Sequence, residues 1–255
     1  MLPSLRERLV VDLRPARVVL TRFARGWPRR DPEQRVLPVE PSADSHDWQP
    51  LTNALRGFLS AGATPADAIV VLSDRFVRYL LVPWNAQIVR RSEEIAVTQE
   101  LFARQFASDM QDWEVRLSGA RRGEHQVAAA IERSLLDVIS TIFAASPIRL
   151  HAVRPHFMQV INGHRRALEG DAWVVVAEAD RMLVGFLRNG SWLSLRSRPL
   201  DPRSNAMEPI LEQEALLHGI APQNAKIYVY EADKIGDAAA SQLLQPISAP
   251  VERGA

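Results

Sequence analysis

The sequence predicts an α/β protein made of two mixed-sheet halves, and three observations carry that expectation. The order strand, strand, strand, helix, strand occurs twice, first over residues 9–72 and again over residues 172–230. Short apolar stretches that alternate or run unbroken between Pro, Gly, Asn and Asp mark the strands, and apolar residues at helical spacing mark the segments between them. With 255 residues and 47% hydrophobic content, the chain is long enough to bury one large core or two small ones.

Composition removes several function classes. There are 31 basic and 30 acidic residues, so no net field draws the chain to nucleic acid or to an anionic membrane. The pairs Arg29-Arg30, Arg90-Arg91, Arg121-Arg122 and Arg165-Arg166 are scattered and read as solvated positions rather than as a phosphate track. Cysteine is absent, which excludes disulfides, thiolate metal sites and a thiol nucleophile. No basic segment followed by an apolar core occurs after Met1, and no apolar run approaches the roughly 18 residues of a membrane span. The expectation is a cytoplasmic protein without a span of its own.

The elements follow in order. Residues 9–23 read as a hairpin, with the first strand ending at Asp12 and the turn at Leu13-Arg14-Pro15. Residues 26–32 are a loop and 34–40 a third strand. Helix-start residues lie at 42–47, and Trp48, Leu51, Leu55, Phe58 and Leu59 recur at helical spacing up to Gly62. In residues 68–82, Ser73-Asp74 separates a fully apolar strand from a second extended segment ending at Pro83-Trp84, which places the centre of the sheet here. A helix capped by Ser92, with Glu93 and Glu94 at its positive end, is expected next. Strands at 113–118 and 126–131 pair across a turn, and residues 135–143 form a helix. Residues 148–153 form a strand, and Pro155 opens a helix to Arg166. The second half then sets strands at 172–177, 182–187 and 192–198, with Asn189-Gly190 as a tight hairpin turn. A helix at 205–218 and a strand at 226–230 complete the repeat.

Several stretches carry a family resemblance. They are VVDLRPARVVL, VVLSDRFVRYLLVPW, SEEIAVTQELFARQF and WVVVAEADRMLVGFLRNGSWLSLRSRPL. Their order resembles the actin-like superfamily, and within it the PilM-type pilus-assembly proteins and the cytoplasmic part of the type II secretion protein L. The resemblance covers about residues 9–230. It implies the actin-like ATPase (ribonuclease-H-like) fold, with two βββαβ halves facing a cleft, a first half at 1–168 and a shortened second half at 169–255 ending in a Pro-containing tail.

The departures bear on the cofactor. Arg14 stands where the family's first phosphate hairpin has glycine, and Val19 near its lysine. Ala177-Glu178-Ala179 replaces the second hairpin's Asp-apolar-Gly. Leu200-Asp201-Pro202 and Glu231-Ala232-Asp233 replace later glycine pairs. A glycine lets backbone N–H groups close on phosphate oxygens, and these substitutions remove that freedom. The resemblance therefore implies a pseudo-ATPase without cofactor, in which Asp12 and Arg14 are remnants of the first phosphate loop and no residue is catalytic. The alternative is an ATP-binding protein that uses Mg²⁺, with Arg14 pairing phosphate through its side chain.

The expected role is a scaffold that docks a short cytoplasmic peptide of an inner-membrane pilus or secretion component. The docking residues would be Val77, Tyr79, Leu81, Pro83 and Trp84, with homo-oligomerisation open. Asp12 has two readings, a carboxylate holding hydrated Mg²⁺ or one bonding its own turn. Joining Asp12 with Asp74, Glu178 or Asp180 would give a metal-dependent nuclease. His151, His156 and His164 match no helical metal pair, so no metal site is expected from spacing. Ser73 beside Asp74 lacks the glycines of a nucleophile elbow. Trp84 and Trp113 are expected beneath helices.

Overall fold

The computed structural model describes residues 7–24, 31–40, 42, 47–107, 109–166, 168, 170–200, 207–219 and 225–231. Strands β1 (Glu7–Arg14), β2 (Arg17–Phe23) and β3 (Glu33–Pro38) form an antiparallel meander. Helix α1 (Gln49–Ser60) then crosses to β4 (Ala66–Leu72), which lies parallel to β1. After a long excursion, helix α3 (Arg133–Ala144) leads to β8 (Arg149–Pro155), parallel to β4. The sheet order is β3-β2-β1-β4-β8. Because side chains alternate across a strand, Leu9, Val11 and Leu13 share one face. They pack with Leu51, Leu55 and Leu59 of α1 and with Leu135, Ile139 and Phe143 of α3. Asp12 and Arg14 therefore lie on the face away from these helices.

The second half repeats the scheme. Strands β9 (Ala172–Ala177), β10 (Arg181–Arg188) and β11 (Ser191–Pro199) are antiparallel neighbours. Helix α5 (Met207–Leu217) leads to β12 (Lys226–Glu231), parallel to β9. The order β11-β10-β9-β12 reproduces β3-β2-β1-β4. Strand β9 is buried along its whole length because it is covered twice. Helix α4 (His156–His164) supplies Phe157, Val160 and Ile161 to one face, and α5 supplies Leu211 and Ala215 to the other.

The excursion between β4 and α3 builds a third sheet. A short 3-10 turn (Asp74–Phe76) reverses the chain into β5 (Val77–Val82). Helix α2 (Arg91–Phe106), β6 (Trp113–Leu117) and β7 (Gln126–Glu132) follow, and the antiparallel order is β5-β7-β6. The expected centre of the sheet at 68–82 therefore divides, with β4 between β1 and β8 and β5 in a separate sheet. The hydrogen bonds of β5 go to β7, so only β1, β4 and β8 form the parallel centre.

Other expectations shift by a few residues. The first hairpin turns at Pro15-Ala16, with Arg14 opposite Arg17, so Asp12 sits inside β1 opposite Val19 and not at the tip. Helix α2 starts one residue before Ser92, and the Arg90 N–H donates to Glu93 Oε2 at 3.4 Å in place of a serine cap. Asp47 does serve the start of α1, its Oδ1 accepting from the Gln49 N–H at 2.9 Å. Trp113 is buried, whereas Trp84 is 41% exposed, with Arg122 over its ring. Asn189 and Gly190 both take positive φ, as the tight β10–β11 turn requires. Residues 26–30 of the expected loop at 26–32, most of the run 42–47, residues 201–202 and 232–233, and the tail 245–255 lie outside the described residues. Among the described residues, no helix is long and apolar enough to cross a membrane.

Candidate functional site

Strands β1, β4 and β8 run parallel and side by side, so the residues just past their carboxyl ends emerge together. This is the edge at which open α/β sheets bind ligands. Register sets Leu13 beside Leu72 and Leu72 beside Pro155, and the Ser73 N–H still donates to Leu13 O at 3.0 Å. The chain then delivers Ser73 and Asp74 at the start of the 3-10 turn and His156 at the start of α4. From the second half, the end of β9 delivers Glu178 to the same point.

These four side chains are buried. Ser73 Oγ donates to Glu178 Oε2 at 2.5 Å, and the Asp74 N–H donates to Glu178 Oε1 at 3.1 Å. Both oxygens of Asp74 accept from the Phe157 N–H at 3.0 Å, and Tyr79 OH donates to Asp74 Oδ1. His156 Nδ1 lies 3.3 Å from Glu178 Oε1 and 3.6 Å from Asp74 Oδ2, without an aligned hydrogen bond to either.

Electrostatics follow from that packing. Burial alone would lower the pKa of His156, but the two adjacent carboxylates outweigh it and hold it at about 9. Burial would raise Glu178, yet His156, Ser73 Oγ and the Asp74 N–H bring it down to about 2. Asp74 moves the other way, because burial and the neighbouring Glu178 charge outweigh its attraction to His156. Burial, then Asp74, pushes the Tyr79 hydroxyl well above its ordinary range. Asp74, His156 and Glu178 are the group of described residues whose donor atoms converge closely enough to hold a metal ion.

The sequence candidates divide. Asp12 and Arg14 do meet, but as a pair, with Arg14 Nε and an Nη donating to Asp12 Oδ2 at 3.0 and 2.6 Å. Asp180 pairs with Arg75 at 3.4 Å and with Arg181 at 3.7 Å. Of the four acids that a nuclease would gather, only Asp74 and Glu178 come together. His151 meets Asp67 at 3.2 Å, and His164 Nδ1 contacts Val160 O at 2.9 Å, so the three histidines separate. The place of His156 beside two carboxylates escaped spacing arguments because those partners are distant in sequence. A usable signal was present for two of the strands: VVLSD and VVVAE each end an apolar run on a polar group, whereas β8, RLHAVRP, carries no such pattern before His156.

Beside this cluster lies a groove of about 650 Å³ between β5 and β11. Each is an edge strand, hydrogen-bonded on one side only, to β7 and to β10. Val77, Tyr79 and Leu81 line the groove, with Leu193 and Leu195 opposite, while Pro83 and Trp84 are exposed beyond the end of β5. Arg75, Arg78, Arg181, Arg196 and Arg198 also line it. Arg196 reaches buried Glu214 at 3.4 Å, and Arg198 bonds the same carboxylate. Arg78 stacks on Trp113 at 3.9 Å, and its Nη1 is buried without a hydrogen bond.

No family model matches the sequence, and no curated protein is significantly similar to it. Solved structures are informative. A Bacteroides thetaiotaomicron protein with an actin-like ATPase fold and unknown function superposes with a TM-score of 0.62 at 9% identity, covering 94% of this chain and 96% of that one. The chain has the actin-like fold. The PilM-PilN type IV pilus biogenesis complex gives a TM-score of 0.55 at 14% identity, over 87% of this chain and 68% of that one. The cytoplasmic domain of EpsL, an inner membrane component of the type II secretion system of Vibrio cholerae, gives 0.51 at 14% identity, over 80% and 74%.

The actin-like fold implies Mg-ATP between the halves, and the residues present do not suit a triphosphate. The first hairpin turns through Pro15-Ala16, Arg14 pairs with Asp12, and the Glu178 carboxylate, its pKa lowered by His156, stands at the strand ends. Adding like charge there costs free energy rather than releasing it.

Proposed function

We propose that the chain is a non-catalytic actin-like scaffold that docks an extended segment of an inner-membrane pilus or secretion-machine protein in the β5–β11 groove. The observation that carries this reading is the groove beside two edge strands, each hydrogen-bonded in a sheet on one side only, lined by apolar and arginine side chains. Backbone bonds would set register there, and alternate side chains would enter the groove. The likeness to the PilM-PilN complex and to EpsL supports the choice of partner class. The chain itself would reach the membrane through that partner.

A photo-crosslinking residue at Leu81 tests the reading in a lysate that retains membranes. The expected adduct is a bitopic inner-membrane protein of such a machine, absent when the label sits at Ala144 on α3. The same adducts from both positions, or soluble proteins alone from Leu81, would overturn it.

A further inference from the structure

We propose that Asp74, His156 and Glu178 form a binding site for a divalent transition metal of the zinc type, held between the two halves without nucleotide. The ligands are His156 Nδ1 and one oxygen from each carboxylate. This is independent of the docking groove, since none of the three residues lines it.

The distances favour an ion over a simple ion pair. Zinc bound at about 2.0–2.2 Å in a tetrahedron separates its ligand atoms by roughly 3.3–3.6 Å. His156 Nδ1 stands 3.3 Å from Glu178 Oε1 and 3.6 Å from Asp74 Oδ2. A charge-assisted N–H···O bond would draw such atoms to about 2.7–2.9 Å. The nitrogen is instead buried, with a side-chain exposure of 5%, and has no hydrogen-bond partner. A buried donor that meets two carboxylates without an aligned bond gains less than a hydrogen bond gives, and a shared cation would satisfy all three groups.

The outer groups are those of a formed site. Tyr79 OH, the Phe157 N–H, Ser73 Oγ and the Asp74 N–H orient the two carboxylates, each of whose oxygens keeps a second lone pair for a metal. Two carboxylates and a neutral imidazole would also match the charge of a dication. Ligands come from β4–β5, α4 and β9, so the ion would join the first half to the second. A site this enclosed fills as the halves close, with metal binding coupled to folding.

The test uses the untagged full chain, produced with ZnCl2 in the medium and analysed for metal after desalting. One zinc per chain is expected. His156→Gln and Glu178→Gln should each lower retention more than tenfold, whereas His151→Gln on the exposed β8 surface should retain it. Ser73→Ala, which removes the hydroxyl that orients Glu178 and accepts from the Arg75 N–H, should weaken zinc about 10–100-fold in chelator competition. If a ligand variant fails to fold, wild-type chain produced with CoCl2 decides, because a tetrahedral site gives intense visible absorption that the octahedral aquo ion lacks. Substoichiometric zinc in the wild type, full retention by the folded His156 variant, or an aquo-type cobalt spectrum would each overturn the assignment.

Discussion

His156 is the residue on which both halves converge, and its environment makes stability depend on pH. Its pKa stands at about 9 against an ordinary 6.5. A raised folded-state value contributes stability that is complete below about 6.5 and lost as pH climbs through 9. Glu178, lowered to about 2 from 4.5, contributes stability that is complete above about 4.5 and lost as pH falls through 2. The two shifts describe one shared interaction, so their sum overstates it, and the raised Asp74 partly offsets it. Denaturant titrations between these limits should show a plateau near pH 4.5–6.5 and a decline on the order of a few kcal/mol by pH 10. His156→Gln should flatten the alkaline decline, and an unchanged pH profile in that variant would remove His156 as its source.

At the scale of elements, the β10–β11 hairpin holds the seam between halves. Trp192 reaches across to Phe157, which meets Tyr79 of β5, with ring centroids at 5.7 and 5.5 Å. Gly185 makes room for this, since a Cβ at that position would run into the six-membered ring of Trp192. Gly185→Ala should therefore destabilise the chain by about 1–3 kcal/mol, as overpacking does, and lower its thermal midpoint. A neutral result would mean that Trp192 relocates freely. Most elements here were legible in the sequence, because Asn189-Gly190, the apolar run of β9 and the α1 stripe are local patterns. The destination of β5 was not, because pairing with β7 rather than with β4 is decided by a three-residue turn and by partners some fifty residues later. The position of Asp12 failed for a similar reason: β1 runs two residues further than its apolar alternation indicates.

At the scale of the molecule, the two halves repeat one βββαβ plan, and their meeting point is occupied by their own side chains. The duplicated order was readable from the chain. The cluster at their meeting point was hidden, since Ser73, Asp74, His156 and Glu178 become neighbours only once three strand ends are aligned. On this account the cleft has become a junction, and recognition has moved to the groove between β5 and β11. Calorimetric titration with Mg-ATP tests that claim most directly. The account expects no binding heat at millimolar nucleotide, the same as for an Asp12→Ala variant. A saturable isotherm of one nucleotide per chain, abolished by Asp12→Ala, would contradict it.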